Sequence, residues 1–253
     1  MKQILVCMKA VPVSAFSHQL RRESAALQWN PADEAALEAA LRLAEPDGAV
    51  TVLTMGPAKL RDSLLELAAR GAKRAVLISD ACMAGADTHA TALALERGIR
   101  KLGNFDAVFC GSKAMDGETG QVPGQLAAAL SWPCITHAEK IEETDRTLHL
   151  TRRLEDGIQM VELSCPAVIS FCSYCYPLRL AGIAGMRNAR KMTVDVLDAK
   201  ALGLTGEECG LAGSLTKVER LQSQNIGFRH GQKETEISSG VKALLGYFRE
   251  VRP

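Results

Sequence analysis

Four short, uninterrupted apolar runs, each followed by a stretch of helical period, constrain this chain more than any other feature. They are ILVCM over 4–8, AVTVLTM over 49–55, RAVLIS over 74–79 and DAVFC over 106–110. A strand with one wet face alternates apolar and polar residues, whereas a continuous run belongs to a strand covered on both faces of a parallel sheet. Between the runs, 31–44 spaces Ala35, Leu37, Ala39, Leu41 and Leu43 at helical intervals, and 57–70 does the same with Leu60, Leu64, Leu65 and Leu67. A third helical stretch covers 87–102 with Ala90, Leu93, Leu95 and Ile99, and a fourth covers 119–130. Pro57 suits a first helical turn, and Gly71 and Gly103 stand where a helix end calls for positive φ. The alternation predicts an α/β fold built on a doubly wound, mainly parallel sheet. Its crossovers are right-handed and its ligands gather outside the carboxyl ends of the strands, so the loops after Met8, Met55, Ser79 and Cys110 should meet at one crevice.

Beyond Pro133 the pattern changes to short strands around turns at 143–146 and 155–157, an antiparallel extension of the sheet over 134–172. From Tyr176 onward the chain reads as irregular, with several glycines and basic residues and one weak helix over 238–249. A stretch that long seldom stands free in a compact domain. The expected division is therefore an α/β domain over 1–190 and a C-terminal arm over 191–253 that packs on a partner subunit. With 253 residues, 47% of them hydrophobic, the chain can bury a sizeable core.

Charge and composition exclude several classes. Thirty basic and 29 acidic residues leave a net charge of +1, which offers no electrostatic case for nucleic acid or an acidic membrane surface. No window approaches the roughly 18 to 20 apolar residues of a spanning helix, and Lys9 interrupts the first apolar run too early for a secretory signal. The eight cysteines mostly lie in strand-like runs, so reduced thiols in a cytoplasmic protein are expected rather than a disulfide framework. Cys172 and Cys175 make one CxxC without a second ligand pair for zinc or a helix start for thiol redox chemistry, and are read as coincidental. His18, His89, His137, His149 and His230 form no pair at metal-ligand spacing, so no metal site is expected.

The loop after the fourth run, GSKAMDGETGQVPGQLAAAL from Gly111, carries the most chemistry. Gly111, Ser112, Gly117 and Gly120 are small enough for close backbone approach, and Thr119 and Gln121 supply hydroxyl and amide groups. A helix starting beside them presents backbone N–H groups and the positive end of its dipole, a phosphate site in the making, or simply an ordinary helix cap at Thr119. In SDACMAGADTHATAL, Asp87 and Thr88 occupy positions suited to a helix cap or a ribose contact; Asn30, before Pro31, suits a cap or a base contact. No GxGxxG, Walker or GxSxG pattern is present, which disfavours ordinary dehydrogenases, P-loop NTPases and α/β hydrolases.

In order along residues 2–220, the segments VCMKAVP, NPADEAALEAALRL, VTVLTMGPA, LAARGAKRAVLISD, AGADTHATA, CGSKAMDGETGQV, RRLEDG, CYPLRLAGI and LAGSLTKVE resemble the beta subunit of electron-transfer flavoproteins. The resemblance implies an α/β fold related to the adenine nucleotide hydrolases, an alpha-subunit partner that carries FAD, and an adenine nucleotide in this chain. That nucleotide is AMP in common carriers and a second FAD in the bifurcating, NADH-dependent type; DGETGQV is more similar to the DGDTAQV of FAD-binding members. LAGSLTKVE is similar to their LKGSPT.

By the same resemblance, Cys7 and Ala10 line the adenosine, Asn30 faces the base, Met55 flanks the adenine, and Asp87 and Thr88 make the GADT contact. Asp116, Thr119, Gly120, Gln121 and Val122 hold ribose and phosphates, within the loop that also contains Gly111 and Gly117. Leu180 docks a flavin-linked dehydrogenase, of the acyl-CoA type. The usual Asn-Glu-Pro-Arg before that leucine is replaced by Ser173, Tyr174, Cys175 and Tyr176, which changes the docking surface. The redox chemistry belongs to the flavin and no side chain is expected to be catalytic. Two other readings use the same residues: a stand-alone adenine-nucleotide module of the stress-protein type, and an adenylating or sulfur-transfer enzyme. The second needs a phosphate loop after the first strand that CMKAVPVS lacks.

Overall fold

A computed structural model describes residues 2–13, 26–145, 147–219 and 234–250; His18, Arg146 and His230 lie outside them. The first apolar run forms β1 (Gln3–Cys7), followed by a small ribbon of β2 (Ala10–Pro12) and β3 (Leu27–Trp29). Then come α1 (Pro31–Ala44), β4 (Ala49–Met55), a 3-10 turn (Ala58–Leu60) leading into α2 (Arg61–Ala69), and β5 (Arg74–Ile78). α3 (Thr88–Leu102), β6 (Ala107–Gly111) and α4 (Val122–Leu130) complete the alternation. β7 (Cys134–Thr144), β8 (Thr147–Leu154), β9 (Gly157–Ser164), β10 (Ala167–Phe171), α5 (Ile183–Ala189), β11 (Asp195–Leu197) and α6 (Ile237–Glu250) follow.

The large sheet runs β11-β5-β4-β1-β6-β10-β7-β8-β9. β1 pairs in parallel with β4 on one side and β6 on the other, so the winding reverses between β1 and β6. Alternate residues of the buried strands face opposite ways. Ile4, Val6, Val50, Val52 and Phe109 pack with Leu37 and Leu41 of α1 and Leu64 and Leu67 of α2. Leu5, Cys7, Leu53, Val76 and Val108 pack with Leu95 and Ile99 of α3 and Leu126 and Leu130 of α4. The doubly wound, mainly parallel α/β sheet expected from the runs is therefore present, with helices on both faces. Gly71 and Gly103 take φ of +130° and +120°, as the helix ends require.

The antiparallel extension is present in β7, β8 and β9. Its last segment differs from expectation: β10 slots between β6 and β7 and is parallel to both. All five of its residues, AVISF, are buried; this is the same doubly covered signature as the first four runs. The chain after Tyr176 is also more regular than its sequence suggests. β11 adds a parallel edge beside β5, and α5 lies against α2, where a Cβ on Gly185 would stand 2.0 Å from the Ala69 carbonyl oxygen. Elements of three and seven residues are too short to show a period.

One compact unit spans Met1–Val218 and a second spans Glu219–Pro253. In the second, α6 closely matches the helix expected over 238–249 and exposes Ile237, Val241, Leu244, Leu245, Tyr247 and Phe248. No helix among the described residues is long and apolar enough to cross a membrane.

Phe171 is fully buried, with its ring centroid 4.9 Å from that of Phe109 and 6.1 Å from that of Tyr176. Phe171→Ala should lower stability by about 3–5 kcal/mol through lost burial and the cavity left behind, measured by urea unfolding; a loss below about 1 kcal/mol would contradict this packing.

Candidate functional site

At the reversal between β1 and β6, the chain brings the first turn of α1 down onto the carboxyl ends of both strands. Asp33 makes the junction. Its Oδ2 accepts from Lys9 N at 2.7 Å, just past β1, and its Oδ1 accepts from Gly111 N at 2.8 Å, the last residue of β6. The contact is so close that a Cβ on Gly111 would lie 2.3 Å from Asp33 Oδ1 and 2.8 Å from Ala32 Cβ. Gly111 is thus small because α1 presses on it. Burial pushes the Asp33 carboxyl up to about 7, against the lowering pull of the Lys9 N–H, the Asn30 amide and the Gly111 N–H.

The loop after β6 is fastened to this junction from two sides. Lys9 Nζ meets Asp116 Oδ1 at 2.7 Å, with the Asp116 side chain almost wholly buried. Asn30 Nδ2 donates to Lys113 O at 2.9 Å and its Oδ1 accepts from Met115 N at 3.2 Å. Asn30 is buried and makes no cap hydrogen bond to α1; its amide clamps the loop, so the capping alternative does not hold. Glu118 and Gly120 turn the loop with φ of 51° and 63°, and Gly117 stands in open space. The helix expected from Thr119 starts instead at Val122, because left-handed Gly120 precedes it and Pro123 occupies its first turn. Thr119 is therefore no cap, and Gln121 at the cap position makes no side-chain cap bond either.

α3 begins beside this loop. Thr88 Oγ1 donates to Gln121 Oε1 at 3.1 Å, linking the two helix starts. Asp87 caps α3 through Oδ1, which accepts from Ala90 N at 3.0 Å. Its Oδ2 accepts from both the N–H and the hydroxyl of Thr216 at 2.9 Å. Burial raises Asp87, but the N–H groups of Ala90 and Thr216 and the Thr216 hydroxyl outweigh it and hold the carboxyl below its ordinary range. Asp87 N donates to Ser214 Oγ, which in turn donates to Gly210 O. The LAGSLTKVE segment is thereby tied to the GADT loop.

Cys7 ends β1 and is buried, Ala10 opens β2, and Met55 ends β4 half-buried. These residues, with Asn30, Asp87, Thr88, Gly111, Asp116 and the 117–122 stretch, all belong to the carboxyl-end loops or the helix starts next to them. Leu180 does not. It is 89% exposed, and its neighbour Arg179 bonds Glu38 and, at 2.6 Å, Glu45 beyond the far end of α1. Burial raises the Glu38 carboxyl, but the Arg179 and Arg42 guanidiniums overcome it and leave it below its usual range. Cys172 and Cys175 are half-buried, with Cys175 Sγ 3.0 Å from Cys172 O. No group of His, Cys, Asp and Glu suited to a metal ion occurs among the described residues.

Four contributors escaped the sequence reading: Lys9, Asp33, Ser214 and Thr216. Asp33 left a signal, since it is a lone acid on a helical face otherwise made of Ala32, Ala36, Leu37 and Ala40, all buried. Ser214 and Thr216 left none beyond family resemblance.

The chain matches the family model described as electron transfer flavoprotein domain over residues 19–202. It is 39% identical to the electron transfer flavoprotein subunit beta of Thermoanaerobacterium thermosaccharolyticum, with 88% of each chain covered. The caffeyl-CoA reductase-Etf complex subunit CarD of Acetobacterium woodii is 35% identical over 86% of each chain. Protein FixA of Azorhizobium caulinodans is 37% identical over 86% of this chain and 83% of its own.

Asp33→Asn places an NH2 group opposite a backbone N–H and should cost about 2–3 kcal/mol. The raised Asp33 carboxyl contributes stability that is full below its unfolded value of 3.8 and fades as pH rises through about 7. The deficit of the variant should therefore be largest near pH 4, shrink as pH rises towards about 7 and level off above it, measured by urea unfolding across that range; a deficit that grows with pH would contradict the assignment.

Proposed function

The chain belongs to the electron transfer flavoprotein family, among its beta subunits, and from that premise we propose that it binds FAD at the carboxyl-end crevice, with AMP as the alternative ligand. The observation that carries this reading is the uncapped start of α4. Left-handed Gly120 lies just before it in the chain, and a Cβ on Gly117 would meet nothing. α3, by contrast, is capped by its own Asp87. A helix start left without a side-chain partner, next to small residues, suits a phosphate.

In this reading Gln121, Thr119 and the N–H groups of Gly120 and Val122 hold phosphate and ribose. Thr88 orients the Gln121 amide. Cys7, Ala10 and Met55 line the adenosine side. Lys9 and Asn30 act through the loop they fasten, and Asp87 acts through Ser214 and Thr216. The bound flavin supplies the electron-carrying chemistry; the protein binds it, orients it and limits water. FAD is favoured over AMP by the DGETGQV loop.

The partner is an electron-transfer flavoprotein alpha subunit, with the 191–253 arm, including the exposed apolar side of α6, as part of the contact. Leu180 docks a flavin-linked dehydrogenase of the acyl-CoA type, a reading in keeping with the CoA-linked name of the Acetobacterium relative. The complex is cytoplasmic. With the family shown, no observation favours the stand-alone stress-protein module.

Denaturing the purified complex and identifying the released nucleotides tests the site: two FAD per heterodimer are expected, one FAD and one AMP would replace FAD by AMP here, and one FAD alone would overturn nucleotide binding by this chain. Gln121→Ala should weaken binding about 3- to 10-fold, the worth of one or two hydrogen bonds, with little change in the melting temperature of the nucleotide-free protein. Leu180→Ala, at an exposed position, should leave stability within about 0.5 kcal/mol and slow electron transfer from the dehydrogenase in a coupled assay.

A further inference from the structure

The loop after β5 and the segment that follows β11 are sewn together along a line that ends at the crevice. Asp80 caps the loop: its Oδ1 accepts from Cys82 N and its Oδ2 accepts from Ala199 N, both at 3.1 Å. Further along, Leu211 N donates to Ala84 O at 3.1 Å. Gly210, at φ of 53°, lies so near the loop that a Cβ there would stand 2.1 Å from Cys82 O and 2.6 Å from Ala84 O. The line ends where Ser214 and Thr216 grip Asp87. In the middle of it, Cys82 and Cys209 lie close enough for the Cys209 thiol to disfavour ionisation of the Cys82 thiol. Cys82 is exposed, whereas Cys209 is buried with Met83, Leu202 and Leu204.

We propose that Cys82 and Cys209 form a reversible disulfide that locks the 198–216 segment onto the loop after β5 and so slows the exchange of the nucleotide held beside Asp87. The second half of the statement rests on the proposed nucleotide site; the first does not. Cys209 directly precedes Gly210, whose backbone packs against the Cys82 and Ala84 carbonyls, so the two cysteines stand side by side where the segment meets the loop, the proximity that a bridge requires. A low-molecular-weight disulfide is the oxidant. The exposed Cys82 Sγ attacks one of its sulfurs and releases one thiol. Cys209 Sγ then attacks the Cys82 sulfur of the mixed disulfide and releases the second. Two electrons pass from the protein sulfurs to the reagent, and the two thiol protons end on the released thiols.

Partial desolvation, the Cys209 thiol and the Asp80 carboxylate push the Cys82 thiol up to about 12. The attacking thiolate is accordingly scarce at neutral pH, and closure should take sustained oxidation rather than a brief pulse. Once closed, the bond links loops far apart in sequence and holds Ser214 and Thr216 against Asp87 by restricting local opening.

The test uses the full chain equilibrated with oxidised and reduced glutathione at graded ratios, alkylated, digested and read by mass spectrometry. The expected product is a cross-linked pair of peptides carrying Cys82 and Cys209, lost in Cys82→Ser and in Cys209→Ser but retained in Cys172→Ser. Alkylation of both thiols at every ratio, or Cys82 ending only as the glutathione mixed disulfide, would overturn the bridge. FAD and AMP release are then timed by filtration from oxidised and reduced protein. Release at least about tenfold slower after oxidation, the small end of what a disulfide across a long loop supplies, is expected, and equal rates would overturn the lock. A protein that forms the bridge but binds neither nucleotide would instead sink the proposed site, leaving the bridge standing.

Discussion

One buried carboxylate holds the working end of this molecule together. Asp33 accepts from the N–H just beyond β1 and from the N–H that ends β6, so it spans the point where the sheet changes its direction of winding. Parallel strands end in N–H and C=O groups that no neighbour satisfies, and a buried end left unpaired costs about 1–3 kcal/mol per group. Asp33 satisfies two such groups with one side chain and fixes α1 against both strands. That close seat explains why the last residue of β6 is glycine, and it sets where the following loop must leave the sheet.

The polar residues around the crevice mostly bind protein rather than face outward. The Asn30 amide holds two backbone groups of the loop, Asp116 takes the Lys9 ammonium, and Asp87 takes a helix start and a distant threonine. Side chains engaged in this way fix the backbone of the loops that meet at the crevice. Such an arrangement fits a protein whose chemistry resides in its cofactor, since a carrier needs a rigid cradle and no general acid or nucleophile.

The parallel core was legible because doubly buried strands leave unbroken apolar runs and their crossovers leave a helical period. Pro31–Ala44 and Ala49–Met55 have the bounds that the sequence suggests. β10 carried the same signature as the first four runs, but a run placed after three antiparallel strands reads as a fourth; order in the sheet is a tertiary property. α5 and β11 were invisible because seven and three residues hold too few repeats to display a period. Two of the loops the sequence singled out, after β1 and β6, meet at the carboxyl ends of the strands. The residue types did not disclose that Gly111 is small for the sake of α1, or that Asp87 reaches Thr216, more than a hundred positions along the chain. Pairings at that separation depend on which face each loop presents, which local pattern does not encode.

α1 also joins the crevice to the exposed segment around Leu180. Its first turn bears Asp33, which seats it on the crevice, and its middle bears Glu38, which receives the backbone and guanidinium of Arg179. Arg179 immediately precedes the exposed Leu180. Both acids are buried, where an acid without partners would be strongly destabilising. Five residues separate them, about 7.5 Å of helix at 1.5 Å per residue. The crevice and the exposed Leu180 segment are thus fastened to one rigid rod through two charged anchors, so the distance between them is set by helix geometry rather than by the connecting chain.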